Sequence, residues 1–492
     1  MKYKWLGLLA CLGSVLLAVF VPTVFASPSQ RVHQHLQALP SEPCPAGDSG
    51  GLCTHLPIVM LETGGAEIPG LPIYDEAGVF TETYTKAPDG ETTISAKLSI
   101  VDGEGVYHHP SDEASLQSDI QIRIRGNSSR SFPKKSYAIR LVDSAGENNP
   151  QEVLGMDRHH EWVLYGPYLD KTLMRNYMWY NIAGELMPYA PNVRFCEVLL
   201  DGEYQGLYVM AESITAGKDG ARLQLQVDAK HATFTGYLLR LDRPDSASQS
   251  VVDSFTTYTL RNKQMLEVIY PGKANLTPTL LSAITQDFSD FEKALYSYDY
   301  DSPKYGNSQR IDVDCFVDYF LLNELTCNYD AGWLSTYIYR DLDGKYRMCV
   351  WDFNSCCDNY VHPVDIEHFE MQNCLWYFML MKDEDFTERI ISRYQELRKT
   401  YLSDGYLQDY IQAVQTYLGP AIERNFTVWG SSFDAANGLL EPESRNPGSY
   451  ELAVEQYKTA LLDRAHWLDE HIGILRQYSK ESKVKKFNEN TN

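Results

Sequence analysis

The first half of the chain alternates apolar and polar side chains with the two-residue period of β-strands. The alternation is clearest in four segments, "LPIVMLET", "TTISAKLSIVD", "DIQIRIRG" and "KSYAIRLV". These segments predict that residues 56–145 are rich in strands. A hairpin is predicted in "FCEVLLDGEYQGLYVMAESI", because Asp201-Gly202 suits the positive dihedral angles of a tight turn. "TGYLLRLDRP" predicts a further strand.

The pattern changes to the period of α-helices in the second half. From residue 276 onward, helices are predicted in "IDVDCFVDYFLLNELT", "TERIISRYQELRKTYL" and "ELAVEQYKTALLDRAHWLDEHIGILRQY". One helix is predicted earlier, in "DKTLMRNYMWYNIAGELM", with Asp170 as its N-terminal cap.

A β-rich half followed by a helical half predicts an α+β fold with two lobes and a cleft between them. The β-rich N-terminal lobe is predicted at residues 56–236 and the helical C-terminal lobe at residues 237–480. A polar segment at residues 27–55 predicts a linker, and the basic residues 481–492 predict a disordered tail.

The N-terminus has the pattern of an export signal. Lys2 and Lys4 precede an apolar run that ends at Val24-Phe25-Ala26, so a signal peptide is predicted at residues 1–26. The same run has about the length of a bilayer span, which leaves an uncleaved N-terminal anchor as the alternative. In either case we expect the chain to be exported.

The net charge of −23 argues against nucleic acids and anionic membrane surfaces as partners. A basic protein substrate would suit this field. Among the 10 cysteines, Cys44 and Cys53 flank a Gly-containing loop and could form a local disulfide. Cys349, Cys356, Cys357 and Cys374 lack the spacing of a zinc site, and buried thiols are predicted.

Two aspartates flank a predicted hairpin. "STYIYR" and "KYRMCVW" alternate as strands and are joined by the compact turn "DLDG". Asp330 lies just before the first strand and Asp352 just after the second, so both carboxylates are expected at one end of the hairpin. Such a pair could serve phosphoryl transfer, with one acid acting on a hydroxyl and the other holding Mg²⁺. It could also serve glycoside hydrolysis, or only cap a turn and end a strand.

Several motifs together resemble one known family. "RIRGNSSRSFPKKSYAIRL", the "LMRN" helix, "VLLDGEYQGLYVMAESI", "NYDAGWLSTYIYRD" and "VWDFN" occur in the order found in the CotH-type spore-coat kinases. The resemblance covers roughly residues 56–400. It implies an atypical, secreted, protein-kinase-like fold that transfers the γ-phosphoryl group of ATP to Ser or Thr of coat or surface proteins. ATP and Mg²⁺ or Mn²⁺ are the implied cofactors.

By the same resemblance, Asp330 is the expected catalytic residue and Asp352 the expected metal ligand. The nucleotide is expected to contact a polar loop after a strand, formed by Arg125, Gly126, Asn127 and Ser128.

Lys134 and Lys135 are the candidates for a phosphate-binding lysine. Lys135 is favoured because alternation places it on the same face of the strand as Tyr137. Glu212 or Glu185 would hold this lysine. Arg175 and Asn176 match the family's "RN" pair and are expected to brace their helix.

Two positions depart from the pattern of kinases and many relatives. Ser335 stands where a metal-binding Asn is usual, and Asn354 stands where a second Asp is frequent. We therefore expect a second metal ion to be held weakly by Asn354 and Ser335. The spacing of Asp352, Asn354 and Asp358 also resembles a calcium loop, but it lacks the glycine and glutamate of an EF-hand.

Three functions follow from these patterns. The leading hypothesis is an exported kinase of protein Ser and Thr residues. The second is a catalytically weakened pseudokinase that organises coat or surface proteins, which Ser335 and Asn354 motivate. The third is a carbohydrate-active enzyme that uses the paired acids.

Overall fold

The computed structural model describes residues 31–42, 44, 51–217, 222–226, 233–243, 248–253, 265–342 and 344–483. The predicted signal peptide lies outside these residues, as does most of the predicted tail. The chain divides into two units, residues 1–32 and 33–492, and the fold described below is that of the second. No helix among the described residues is long and apolar enough to cross a bilayer.

Most of the described strands lie in the first half of this unit, and the last three lie in its second half. They are β1 (Ile58–Glu62), β2 (Pro72–Tyr74), β3 (Phe80–Tyr84), β4 (Ile94–Val101), β5 (Leu116–Arg125), β6 (Ser136–Val142), β7 (Gln151–Val153), β8 (Met156–His159), β9 (Glu161–Tyr165), β10 (Val193–Leu200), β11 (Glu203–Glu212), β12 (Ala216–Gly217), β13 (Leu223–Gln224), β14 (Tyr237–Asp242), β15 (Val251–Val252), β16 (Met265–Tyr270), β17 (Thr336–Arg340) and β18 (Arg347–Cys349).

Most of the described α-helices lie in the second half, and only the first lies in the first half. They are α1 (Arg175–Leu186), α2 (Pro278–Leu295), α3 (Val313–Leu325), α4 (Tyr377–Leu380), α5 (Glu384–Leu397), α6 (Asp404–Leu418), α7 (Pro420–Trp429) and α8 (Tyr450–His471). The predicted α+β class, with a β-rich first half and a helical second half, is therefore confirmed.

Seven strands close into a barrel in the order β1-β10-β11-β9-β6-β5-β4. Period-two alternation determines which side chains enter it. On β5, Ile120, Ile122 and Ile124 are buried inside the barrel, while Arg123 and Arg125 lie on its outer face. The predicted turn between β10 and β11 is confirmed, because Asp201 and Gly202 have φ values of 48° and 84°.

A second sheet of five strands has the order β15-β16-β14-β17-β18. β17 and β18 form the predicted hairpin, with Tyr337 opposite Cys349. β14 runs antiparallel to β17, with Leu241 opposite Thr336. Helix α3 packs in the main core and is buried from Cys315 to Leu325, which agrees with its predominantly apolar sequence.

Helix α1 begins later than the sequence predicts. Leu173 has a φ of 66°, which lies in the left-handed region and is incompatible with a continuous right-handed helix. The helix therefore begins at Arg175. The Asp170 carboxylate still accepts the backbone N–H groups of Thr172 and Arg175, at 3.0 and 2.9 Å.

Part of the segment predicted as a linker is docked on the fold. Gln34–Leu36 form a 3₁₀ turn, and the buried Gln34 side chain bonds to the backbone N–H and C=O of Phe195 on β10, at 2.7 and 3.2 Å. Cys44 and Cys53 form a disulfide. The other described cysteines are buried thiols, namely Cys196, Cys315, Cys327, Cys349, Cys356, Cys357 and Cys374.

Candidate active site

Three strand ends meet at one edge of the five-stranded sheet. Asp242 is the last residue of β14, Ser335 immediately precedes β17, and Asp352 follows β18. Because β17 is antiparallel to both of its neighbours, the end of β14, the start of β17 and the end of β18 lie side by side. Asp330 is in the loop that joins α3 to β17. The hairpin thus brings Asp330 and Asp352 to the same edge.

The electrostatics of the two acids show that they share one environment. Burial, with a smaller contribution from the charge of Asp330, raises the pKa of Asp352 to about 6, although the neighbouring Arg125 and Ser335 side chains oppose the shift. Burial also raises the pKa of Asp330, with Arg243 opposing and Asp242 reinforcing the shift. Asp242 therefore acts as a third carboxylate of the site.

Helix α1 holds the backbone around Asp352. The Tyr180 hydroxyl accepts the backbone N–H of Asp352 at 2.9 Å, and the Asn176 side-chain oxygen accepts that of Phe353 at 2.8 Å. Arg175 donates to the carbonyl of Cys356 at 3.0 Å and forms an ion pair with Asp170. The expected "RN" pair thus braces the segment after β18 as well as its own helix.

These contacts support an unusual backbone conformation. Asp352 has a φ of 62°, in the left-handed region that Asp tolerates better than most residues. The next residue, Phe353, is fully buried, with its ring centroid 6.0 Å from those of Trp179 and Tyr180. The Phe353 side chain therefore anchors the turn, and Asp352 as a residue is half-buried.

Arg125 reaches the site from the barrel. Its guanidinium carbon lies 5.4 Å from the ring centroid of Trp351, the residue before Asp352. The other members of the predicted nucleotide loop follow it. Gly126 has a φ of 114°, and Asn127 and Ser128 are exposed. Arg130 holds this loop by donating to the Gly126 carbonyl at 2.6 Å.

The two candidate lysines contact other parts of the fold. Lys134 is buried, and its ammonium group donates to the Leu207 carbonyl at 2.6 Å and to the Asn425 side chain at 2.7 Å. Burial lowers the pKa of Lys134 well below its ordinary value. Lys135 donates to the Arg130 carbonyl at 2.9 Å. Neither lysine forms an ion pair with an acid in the described part of the chain.

The two candidate glutamates are also engaged elsewhere. Glu212 accepts hydrogen bonds from the backbone and side chain of Asn192, at 3.0 and 3.2 Å, and lies 3.4 Å from Arg222. Glu185 pairs with His33 at 2.9 Å. The structure therefore places no lysine–glutamate ion pair at this site within the described residues.

The two residues that depart from the kinase pattern have local partners. Ser335 lies close enough to the Asp352 carboxylate to lower its pKa. The Asn354 side-chain amide donates to the Ser355 hydroxyl at 3.1 Å. Among the described residues it has no hydrogen bond to Asp330, Asp352 or Asp242. Asp358, the last position of the calcium-like spacing, pairs with Arg445 at 2.7 Å. The Asp358 carboxylate is therefore already paired with an arginine, in place of a calcium ion.

Two other groups of side chains in the described residues have a spacing that could hold a metal ion, Cys44 with Cys53 and His109, and His159 with His160 and Glu161. The first is occupied by its own disulfide. Asp352 belongs to neither group. A metal at Asp352 would therefore rely on its carboxylate, with Asp330 and Asp242 nearby.

Sequence reasoning missed Asp242, Tyr180 and the side-chain contacts of Asn176. Asp242 ends a predicted strand, but only the pairing of β14 with β17 brings it beside Ser335. Tyr180 is in the predicted helix, where an aromatic residue is more often a core residue. No local pattern distinguishes either residue from its neighbours.

The site and the fold can be compared with known proteins. A model of the family described as CotH kinase protein matches residues 122–468, which is more than half of the chain. The chain belongs to this family, and the resemblance predicted from its motifs is confirmed.

One curated relative is the inner spore coat protein H of Bacillus subtilis (strain 168). It is 24% identical over 364 residues, which cover 73% of this chain and 88% of that protein.

Proposed function

We propose that this protein is an exported, atypical protein kinase that transfers the γ-phosphoryl group of ATP to Ser or Thr of a spore-coat or cell-surface protein. The proposal rests on the position of two acids. Asp330 and Asp352 lie at the same end of the β17–β18 hairpin, which follows the buried helix α3. Protein kinases also place a catalytic-loop Asp and a metal-binding Asp in this order. The names of the family and of its coat-protein relative support the same function.

In this proposal the two acids have different roles. Asp330 orients the acceptor hydroxyl and accepts its proton, and its raised pKa strengthens it as a base relative to an ordinary aspartate. Asp352 would hold Mg²⁺ or Mn²⁺, with the Ser335 hydroxyl orienting its carboxylate. Such a cation, when bound, offsets the charge of the transferred phosphoryl group.

The donor set fits a divalent cation. The charges of Asp330 and Asp242 raise the pKa of Asp352, and the charge of Asp242 raises the pKa of Asp330, so a cation bound beside these carboxylates would reduce their repulsion. Oxygen donors are the ligands that Mg²⁺ prefers.

The test is phosphate incorporation from radiolabelled ATP into protein substrates, measured with the purified chain and Mg²⁺ or Mn²⁺. Asp352→Ala and Asp330→Asn are expected to abolish incorporation while circular dichroism shows an intact fold. Asp463→Ala is the matched control, because Asp463 is an exposed acid on α8. Incorporation that persists unchanged in Asp352→Ala would refute the assignment.

The second candidate is a kinase-like scaffold without transfer activity. The supporting observation is that Asn354 bonds within its own loop and Ser335 supplies only a hydroxyl, so the metal site has fewer strong ligands than a typical kinase site. Thermal unfolding with nucleotide and metal separates the two. Stabilisation by ATP with Mg²⁺ favours the kinase, and the absence of any stabilisation favours the scaffold.

A further inference from the structure

Two arginines beside the acids lack the partners that other arginines of the fold have. Several buried or half-buried arginines elsewhere are paired with carboxylates, such as Arg424 with Glu197 and Arg464 with Glu324. Arg123 and Arg125 have no side-chain hydrogen bond and no carboxylate within 4.0 Å in the described part of the chain. Both are only partly exposed. A partly desolvated cation without a counter-ion is unfavourable unless a ligand supplies the opposite charge.

Strand β5 carries both side chains. Because they are two residues apart, they project from the same outer face of the barrel. The Arg125 guanidinium lies over Trp351, and the indole of Trp351 also stacks with the Tyr180 ring at a centroid distance of 5.6 Å. Trp351 immediately precedes Asp352, so Arg125 is next to the expected metal ligand.

The charges around Arg123 are predominantly positive. Burial lowers the pKa of Arg123, and the neighbouring guanidiniums of Arg125 and Arg240 lower it further, with Glu161 opposing them. Arg240 is already bound to Glu267 at 2.9 Å. Glu267 therefore pairs with Arg240, whereas Arg123 and Arg125 have no carboxylate at ion-pair distance in the described part of the chain.

We propose that Arg123 and Arg125 bind the polyphosphate of a nucleoside triphosphate, in place of Lys134 or Lys135. A guanidinium matches phosphate oxygens with two parallel N–H groups, which makes an arginine pair suited to a polyphosphate chain. Lys134 and Lys135 are bonded to backbone and side-chain oxygens of the fold, as described above. The identification of the anion as a nucleotide rests on the proposed kinase function, whereas the polyphosphate site does not.

The test is calorimetric titration of the full chain with two probes, inorganic tripolyphosphate and ATP with Mg²⁺. Arg123→Gln and Arg125→Gln are each expected to weaken binding of both probes by about tenfold or more, because each removes charge-assisted hydrogen bonds. Arg123→Lys and Arg125→Lys keep the charge and are expected to retain part of the affinity. Arg140→Gln is the matched control, since Arg140 is also on the outer face of the barrel but is bonded to Asn148 at 2.7 Å.

The outcomes separate this proposal from the kinase function. If tripolyphosphate binds in an arginine-dependent way and ATP is neither bound nor used, the anion site stands and the kinase function fails. If ATP is bound and used equally well by the Arg123→Gln/Arg125→Gln double variant, the arginine site is overturned and the kinase stands. Failure of the native chain to bind either probe overturns the arginine site. A larger loss in Lys135→Gln than in either arginine variant also overturns it.

Discussion

Arg464 on α8 neutralises a carboxylate in the core next to the Asp330 loop. Its guanidinium is 1% exposed and pairs with Glu324, which is fully buried near the end of α3. Arg464 also donates to the carbonyls of Ile366 and His368. Glu324 accepts the backbone N–H groups of Glu370 and Met371, at 2.9 and 2.7 Å. The pair therefore links α8, α3 and the segment before α4.

Replacing Arg464 by Met leaves the Glu324 carboxylate buried without a cation. Removing one partner of a buried ion pair costs about 3–5 kcal/mol, and both backbone donors of Glu324 remain to limit the loss. Urea unfolding followed by tryptophan fluorescence measures the difference in the free energy of unfolding. Arg464→Lys is the matched control, because it keeps the charge and loses only the forked geometry. It is expected to lose less than half as much.

The pH dependence tests the electrostatic cause. Burial already raises the pKa of Glu324, and Arg464 opposes that shift. In Arg464→Met the folded-state pKa rises further above the unfolded-state value. The instability is therefore complete above the folded-state pKa and diminishes as the pH falls and the carboxyl takes up a proton. A deficit that is independent of pH, or equal in Arg464→Lys and Arg464→Met, would refute the charge argument and indicate a packing effect.

Three further predictions follow from the same structure. Asn176→Ala removes the acceptor of the buried Phe353 N–H, so it should lower the free energy of unfolding by about 1–3 kcal/mol and weaken nucleotide binding. Asn176→Asp keeps an oxygen acceptor and should lower the free energy of unfolding less. Equal losses of stability in thermal unfolding of the two variants would contradict this prediction. Gly126→Ala should lower the unfolding temperature more than Gly146→Ala. Both glycines have a positive φ, but the new Cβ would lie 1.9 Å from the Ser129 hydroxyl oxygen in the first case and meets nothing within 4 Å in the second. Burial, with a smaller contribution from His33, lowers the pKa of His35 from 6.5 to about 4. Stability from this group is therefore complete above pH 6.5 and is lost as the pH falls through 4, by up to about 3 kcal/mol. His35→Gln should lack that component in urea titrations, and an unchanged pH profile would show that His35 does not titrate as described.

Local patterns in the sequence were sufficient for most of the elements and for one pair of acids. Alternation identified β5 and β6, and Asp201-Gly202 identified a turn whose geometry depends on adjacent residues. Asp330 and Asp352 could be paired for the same reason, since a hairpin relates residues close in the chain. The start of α1 was placed too early because Asp170 has a capping contact without beginning the helix.

The residues proposed to bind phosphate could not be identified in this way. Alternation distinguishes the two faces of β6, but it does not reveal that the side chain of Asn425, on α7, accepts a hydrogen bond from Lys134. It also does not reveal that Arg125 lies over Trp351, just after the hairpin.

The sequence by itself therefore determined the class of fold, the family motifs and the hairpin that carries the two acids, because these depend on neighbours in the chain. Only the tertiary structure decided that Asp242 lies beside the two acids and that Tyr180 and Asn176 accept hydrogen bonds from the backbone at Asp352 and Phe353. It also decided which arginines have no carboxylate partner among the described residues. These facts depend on contacts between segments far apart in the chain, where burial and long-range strand pairing determine each side chain's partner.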